Sequence, residues 1–187
     1  LRMKKRGGVF DDPYANGEEA DALTGNADAR AVALEAAHKA AVLLKNQNDI
    51  LPLTKADLTR VAIVGPNSDI TVLGGYSDEP RQTISILDGF QAEFGGEVEI
   101  THAKGVNLTD NRSWWDDEVS LADRAENLAM IEDAVAAVEG ADLIILAIGG
   151  DEATSREAWS ETHLGDRDDI TLIGEPNELV EAMAATR

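Results

Sequence analysis

The sequence predicts an α/β fold with a mainly parallel sheet flanked by helices, and three observations carry that prediction. Helical and strand patterns alternate as helix–strand–helix–strand–helix–strand–helix, with strands spaced about 40 residues apart. Leu143 to Ile148 is a continuous apolar run, which reads as a strand buried on both faces of a parallel sheet. The chain is 43% apolar but only 4% aromatic, so the core that covers such a sheet must be aliphatic.

Taken in order, residues 1–27 are polar and broken by Gly7-Gly8, Pro13, Gly17 and Gly25. Leu1 to Arg6 reads as the end of a helix, followed by an extended arm around Val9 to Tyr14. Asp28 is the expected cap of an Ala-rich helix running to about Leu44, with Val32, Ala36, Ala40 and Leu43 at helical spacing. Lys45 to Asp49 breaks it. Arg60 to Val64 is the first clear strand, entering a Gly65-Pro66-Asn67-Ser68-Asp69 turn whose polar side chains suit local hydrogen bonds. That turn begins like a phosphate-binding loop but lacks the Gly-Lys-Ser/Thr end, so it is not read as a nucleotide site. Thr83 is expected to cap a short helix with Ile86, Leu87, Phe90 and Phe94 on one face, and Val98 to Ile100 follows as a strand. Ser120 is the expected cap of a helix presenting Leu121, Ala125, Leu128, Ile131, Val135 and Val138, which Gly140 terminates. After the 143–148 strand, Pro176 sits correctly for the first turn of a final helix.

The formal net charge of −20 excludes a nucleic-acid partner, because no basic stripe is present for phosphates, and it disfavours an anionic membrane surface. Cysteine is absent, so disulfides and thiolate sites are excluded. No apolar run approaches a membrane span. A first residue other than Met and a last helix that runs to the end of the sequence are read as marks of a piece of a longer polypeptide.

Chemistry concentrates after the 143–148 strand. Gly149-Gly150 releases a segment carrying Asp151, Glu152, Glu157, Glu161, Asp166, Asp168 and Asp169 around Arg156, Trp159, His163 and Arg167. It leaves the carboxyl end of a strand, the edge where open α/β sheets bind ligands. Glu157 and Glu161 stand four apart, a repulsive spacing on a regular helix. That favours an irregular loop in which each carboxylate has its own task, and paired carboxylates serve general acid–base work. A solvated acidic loop has the same spacing. Asp166, Asp168 and Asp169 could offer oxygen ligands to calcium, without the spacing of an EF-hand loop. A second polar loop, 106–119, holds Trp114 and Trp115; a Trp pair beside carboxylates can stack sugar rings or plug the rim of the core.

Four motifs in order carry a family resemblance. Residues 1–14, the Val42-Leu-Leu-Lys-Asn46 to Leu51-Pro-Leu53 stretch, Val61 to Ser77, and Ile144 to Leu172 with Gly165-Asp166-Arg167 resemble glycoside hydrolase family 3, of the β-glucosidase and β-xylosidase type. The resemblance implies that residues 1–27 are the end of a barrel domain and a linker, and that 28–187 are most of a six-stranded α/β sandwich. It implies a retaining, exo-acting β-glycosidase removing terminal β-linked glucose or xylose. Its nucleophilic aspartate would lie on a barrel outside this sequence. Glu157 is then the preferred general acid/base and Glu161 the alternative, while Trp159, Trp115, Trp114 and Arg156 become substrate-binding candidates. No cofactor and no metal are implied. The expected partners are a β-linked glycoside, the remaining segments of the same enzyme and, at most, a second copy in a homodimer. The expected location is periplasmic or extracellular. The rival reading is a non-catalytic carbohydrate-binding or interaction module whose acidic loop holds calcium.

Overall fold

The structure is a computed structural model and describes residues 1–77, 80–110, 116, 118–155, 164–168 and 170–186. The chain forms two compact units, Leu1–Leu51 and Pro52–Arg187.

The first unit contains α1 (Arg2–Arg6), α2 (Gly17–Leu23) and α3 (Ala27–Ala40). None of the three buries a residue. The α3 cap is Asn26, whose side chain accepts from the Ala29 N–H at 2.8 Å, and not Asp28, which lies in the first turn. Both residue types cap well. The helix stops at Ala40, short of the expected Leu44. Val32 and Leu43, expected on an inward stripe, are 66% and 64% exposed. Spacing alone marks an apolar stripe without supplying a surface to cover it. The Lys45–Asp49 break is present as a short 3-10 turn, beside which Asn46 exchanges two hydrogen bonds with the Leu51 backbone.

The second unit contains a parallel three-stranded sheet in the order β2-β1-β3, built from β1 (Arg60–Val64), β2 (Glu99–Ala103) and β3 (Leu143–Leu146). The central strand is β1. The 143–148 run, expected to be buried on both faces, forms a shorter strand at the sheet edge, and each of its residues is half-buried. Its aliphatic sequence arises because both faces are packed, even though its outer edge carries no partner among the described residues. Side chains alternate across β1 as strand geometry requires. Val61 and Ile63 point to one face, with Val98, Leu87, Phe90 and Phe94, while Ala62 and Val64 point to the other, with Val106, Ile131, Val138, Leu179 and Met183. Ile63 is wholly buried, and burial of such a side chain contributes about 1.5–3 kcal/mol.

Thus α4 (Ile86–Phe94) covers one face, and α5 (Arg124–Ala137) and α7 (Pro176–Ala185) cover the other. Pro176 opens α7 as expected, and Gly140 takes φ +74 at the turn after α5. Two caps differ from expectation. Asp123, not Ser120, caps α5 by accepting from the Glu126 N–H, because residues 119–122 are taken up by an antiparallel bridge of Leu121 to Thr109. Ser85, not Thr83, caps α4, in a reciprocal box with Asp88.

That box has a pH signature. The Asp88 carboxyl is held below its ordinary value of 3.8, first by the Ser85 backbone N–H and then by the Ser85 hydroxyl. A depressed folded pKa contributes stability that is present above the unfolded value and is lost as pH falls through the folded one. Asp88→Asn is therefore expected to flatten the fall of the melting temperature below about pH 3.8, measured by thermal melts across that range.

Candidate active site

The carboxyl ends of all three strands meet at one edge of the sheet, and the backbone there is laced together. The Gly65 N–H donates to Ala103 O at 3.1 Å, the Ala147 N–H to Val64 O at 2.8 Å, and the Asn67 N–H to Ala147 O at 3.2 Å. Gly65 is required by two constraints. Its φ is +127, and a Cβ placed on it would lie 2.2 Å from Ala147 O. Ser68, fully buried, donates its hydroxyl to Gly65 O at 2.6 Å and contacts His102 Nε2 at 2.8 Å.

From this edge β3 runs on through Gly149 and Gly150 into the short α6 (Glu152–Ser155). Asp151 Oδ1 accepts from the Thr154 N–H at 3.1 Å, and Thr154 Oγ1 accepts from the Asp151 N–H at 3.0 Å, a reciprocal box that fixes the turn. Thr154 is buried, and Ser155 donates its hydroxyl to Asp151 O at 2.7 Å. The chain is thus held firmly up to the residue before Arg156. On the far side of that segment, Asp166 sits in the left-handed region at φ +54, and Arg167 Nη2 donates to Thr171 O at 3.1 Å.

The second loop is equally well rooted. The Asp110 N–H donates to Ser120 O at 3.1 Å and the Ala122 N–H to Leu108 O at 3.3 Å, closing a bridge at the base of the loop. Val106, Leu108 and Val119, near its two ends, are buried. Beside Asn107 lies a polar network on Asn127, wholly buried, whose Nδ2 donates to Asn107 O at 3.0 Å and to Glu175 Oε2 at 2.7 Å, and whose Oδ1 accepts from the Asn107 N–H at 2.8 Å. Arg124 pairs with both Glu175 at 3.0 Å and Glu178 at 2.9 Å, and its hydrogen bond holds the Glu178 carboxyl below the usual range. A concavity of about 410 Å³, lined by Lys104, Asn107, Thr109, Asp110, Asp123 and Glu126, opens at the root of this loop. A second, of about 390 Å³, lies at the opposite end of the sheet around Gly140, Ile144 and Thr186, away from the edge where α/β folds bind ligands.

The sequence-derived site residues Trp114, Trp115, Arg156, Glu157, Trp159 and Glu161 all lie outside the described residues, as does Asp169 of the calcium reading. What the structure describes is the frame that carries them: two loops rooted in bonded turns at the carboxyl edge. Sequence reasoning missed Asn67, Ser68 and His102 as parts of that frame. The polar Gly-Pro-Asn-Ser turn was the available signal, but nothing in the sequence brings it next to His102 or Gly149.

Comparison with known proteins gives a consistent family. The profile of the glycosyl hydrolase family 3 C-terminal domain matches residues 41–187. A β-xylosidase of Formosa agariphila is 32% identical over all of this chain and 24% of its own length. A periplasmic β-glucosidase of Salmonella typhimurium is also 32% identical, over all of this chain and 25% of its own length. The chain therefore spans about a quarter of these relatives. Among solved structures, a β-glucosidase from Erythrobacter marinus superposes with a TM-score of 0.87 at 36% identity, covering 96% of this chain and 25% of that one. A family 3 exo-β-xylosidase in complex with a xylobiose aziridine probe gives 0.61 at 31%, covering 84% and 17%.

Proposed function

The chain belongs to glycoside hydrolase family 3, and on that premise we propose that it is part of a retaining, exo-acting β-glycosidase that removes terminal β-linked glucose, with xylose second. The observation that carries the proposal is the bonded Asp151–Thr154 turn that leaves the carboxyl edge of a parallel sheet just before residue 156, together with relatives named β-glucosidase and β-xylosidase. In this reading Glu157 is the general acid/base and Glu161 its alternative. Trp159, Trp115, Trp114 and Arg156 contact the outer sugar. Residues 1–27 are the end of a barrel domain and its linker, residues 28–187 belong to the sandwich domain, and the nucleophilic aspartate lies on the barrel. The named periplasmic relative supports an exported enzyme.

Such a site works by dividing labour between two walls. The barrel carboxylate attacks the anomeric carbon while the sandwich glutamate gives its proton to the departing oxygen. The same glutamate then takes a proton from the water that releases the sugar. No step needs a metal or cofactor. A full-length parent enzyme assayed on nitrophenyl glycosides is expected to turn over the β-glucoside and, more slowly, the β-xyloside, with the β-anomer of the sugar released first. Release of the α-anomer, or turnover of neither, would overturn the reading. Tight saccharide binding by the isolated 187-residue chain would favour a binding module instead.

A further inference from the structure

We propose that Asn67 is a positioning residue for the acid/base segment, holding the exit of β3 in place across the crevice between β1 and β3. The proposal rests on the assignment of the general acid to residues 156–163.

The argument begins with the topology. After β1 the chain turns to α4 on one face of the sheet, and after β3 it continues to α7 on the other. The two exits diverge, so the carboxyl ends of β1 and β3 flank the crevice in which doubly wound folds place their ligands. Here protein fills that crevice. The Gly65 backbone lies against Ala147, the Asn67 N–H donates to Ala147 O at 3.2 Å, and Asn67 Nδ2 reaches Gly149 O at 3.4 Å. A ligand therefore has to be met above the crevice, by the segments that leave it.

Asn67 is suited to direct one of those segments because its own base is immobilised. Ser68 is tied to Gly65 and His102, and its carbonyl accepts from the Leu87 N–H at 2.9 Å, so β1, β2 and α4 together hold the turn. Gly149 and Gly150 have no side chains with which to fix their own course. A Cβ on Gly149 would meet Asn67 Nδ2 at 3.3 Å, which shows how closely the amide follows the β3 exit. Asn67 Oδ1 is buried and takes no hydrogen bond among the described residues, so Nδ2 is the atom through which the side chain acts. A small rotation at Gly149 would be passed on through the Asp151–Thr154 box to whatever follows Ser155. A general acid misplaced by about 1 Å can lose roughly a hundredfold in rate.

The test uses the full-length enzyme with Asn67→Ala and Asn67→Ser, and compares kcat/KM on a β-linked disaccharide and on the dinitrophenyl glycoside of the same sugar. The disaccharide needs the acid and the dinitrophenyl glycoside does not. Both variants are expected to shift the ratio of the two rates about tenfold against the disaccharide. A purely structural role lowers both rates by one factor, and partial unfolding cancels from the ratio. Glu157→Ala and Glu161→Ala are measured alongside. If one of them shifts the ratio and neither Asn67 variant does, the positioning role is overturned while the assignment of the acid stands. If neither glutamate variant shifts it, the assignment fails and the positioning role fails with it.

Discussion

Glu157→Ala in the full-length enzyme is expected to slow hydrolysis of a β-linked disaccharide by roughly 100- to 10,000-fold, the usual contribution of a positioned general acid. The loss should depend on the leaving group. An alkoxide cannot depart without a proton, whereas dinitrophenolate can, so formation of the glycosyl-enzyme from the dinitrophenyl glycoside should be nearly unaffected. The second half of the reaction still lacks a base to activate water, and the intermediate should accumulate. Azide needs no base. It attacks the anomeric carbon, the bond to the nucleophilic carboxylate breaks, and a β-glycosyl azide forms as turnover is restored. Steady-state and burst kinetics on both substrates, with the azide product identified, check each step. The same signature at Glu161 instead would move the role four residues along the segment. Equal loss on both substrates would remove the acid role from Glu157.

Gly65→Ala is expected to be the most damaging single methyl in the sheet unit, costing more than about 3 kcal/mol. The φ of +127 is strained for any residue with a Cβ. The added carbon would also lie 2.2 Å from Ala147 O and 2.8 Å from its carbonyl carbon. Neither atom belongs to a flexible side chain, so relief requires β3 to move away from β1. Gly89→Ala is the control. Gly89 lies inside α4, where an added methyl would meet nothing within 4 Å, and alanine there should stabilise by about 0.5–1 kcal/mol. Urea denaturation of both variants measures the contrast. Equal effects at the two positions would contradict the tight β1–β3 contact.

The order of elements was legible because period and punctuation agreed. Arg60 to Val64 has the apolar run of a covered strand, Ile131 and Val138 have helical spacing, and Gly140 and Pro176 mark the end of a turn and the start of a helix. The caps were less legible. Asp28 and Thr83 were plausible by residue type, but Asn26 and Ser85 took the role because each places its oxygen on a free N–H of the first turn. Position within the sheet was not legible at all. An aliphatic run such as Leu143 to Leu146 reports that two faces are covered, not whether a neighbouring strand lies on both sides.

For the site, the sequence points to a segment and its carboxylates as an expectation, because a polar stretch following a buried strand marks the ligand edge of such folds. It did not identify the frame. Asn67 and Gly149 are 82 residues apart, and Ser68 and His102 are 34 apart. Contacts over such separations arise from strand order, and β2-β1-β3 follows only once the crossovers are known.

The central claim is that the segment after β3 brings a carboxylic acid to the glycosidic oxygen of a sugar held against another domain. A crystal structure of the full-length enzyme carrying Glu157→Gln, with an intact disaccharide bound, tests it directly. The account predicts the side chain at 157 within about 2.6–3.2 Å of the glycosidic oxygen, and about 5–5.5 Å from the attacking carboxylate of the barrel. Side chains at 157 and 161 both turned into bulk solvent, with another residue on that oxygen, would contradict it.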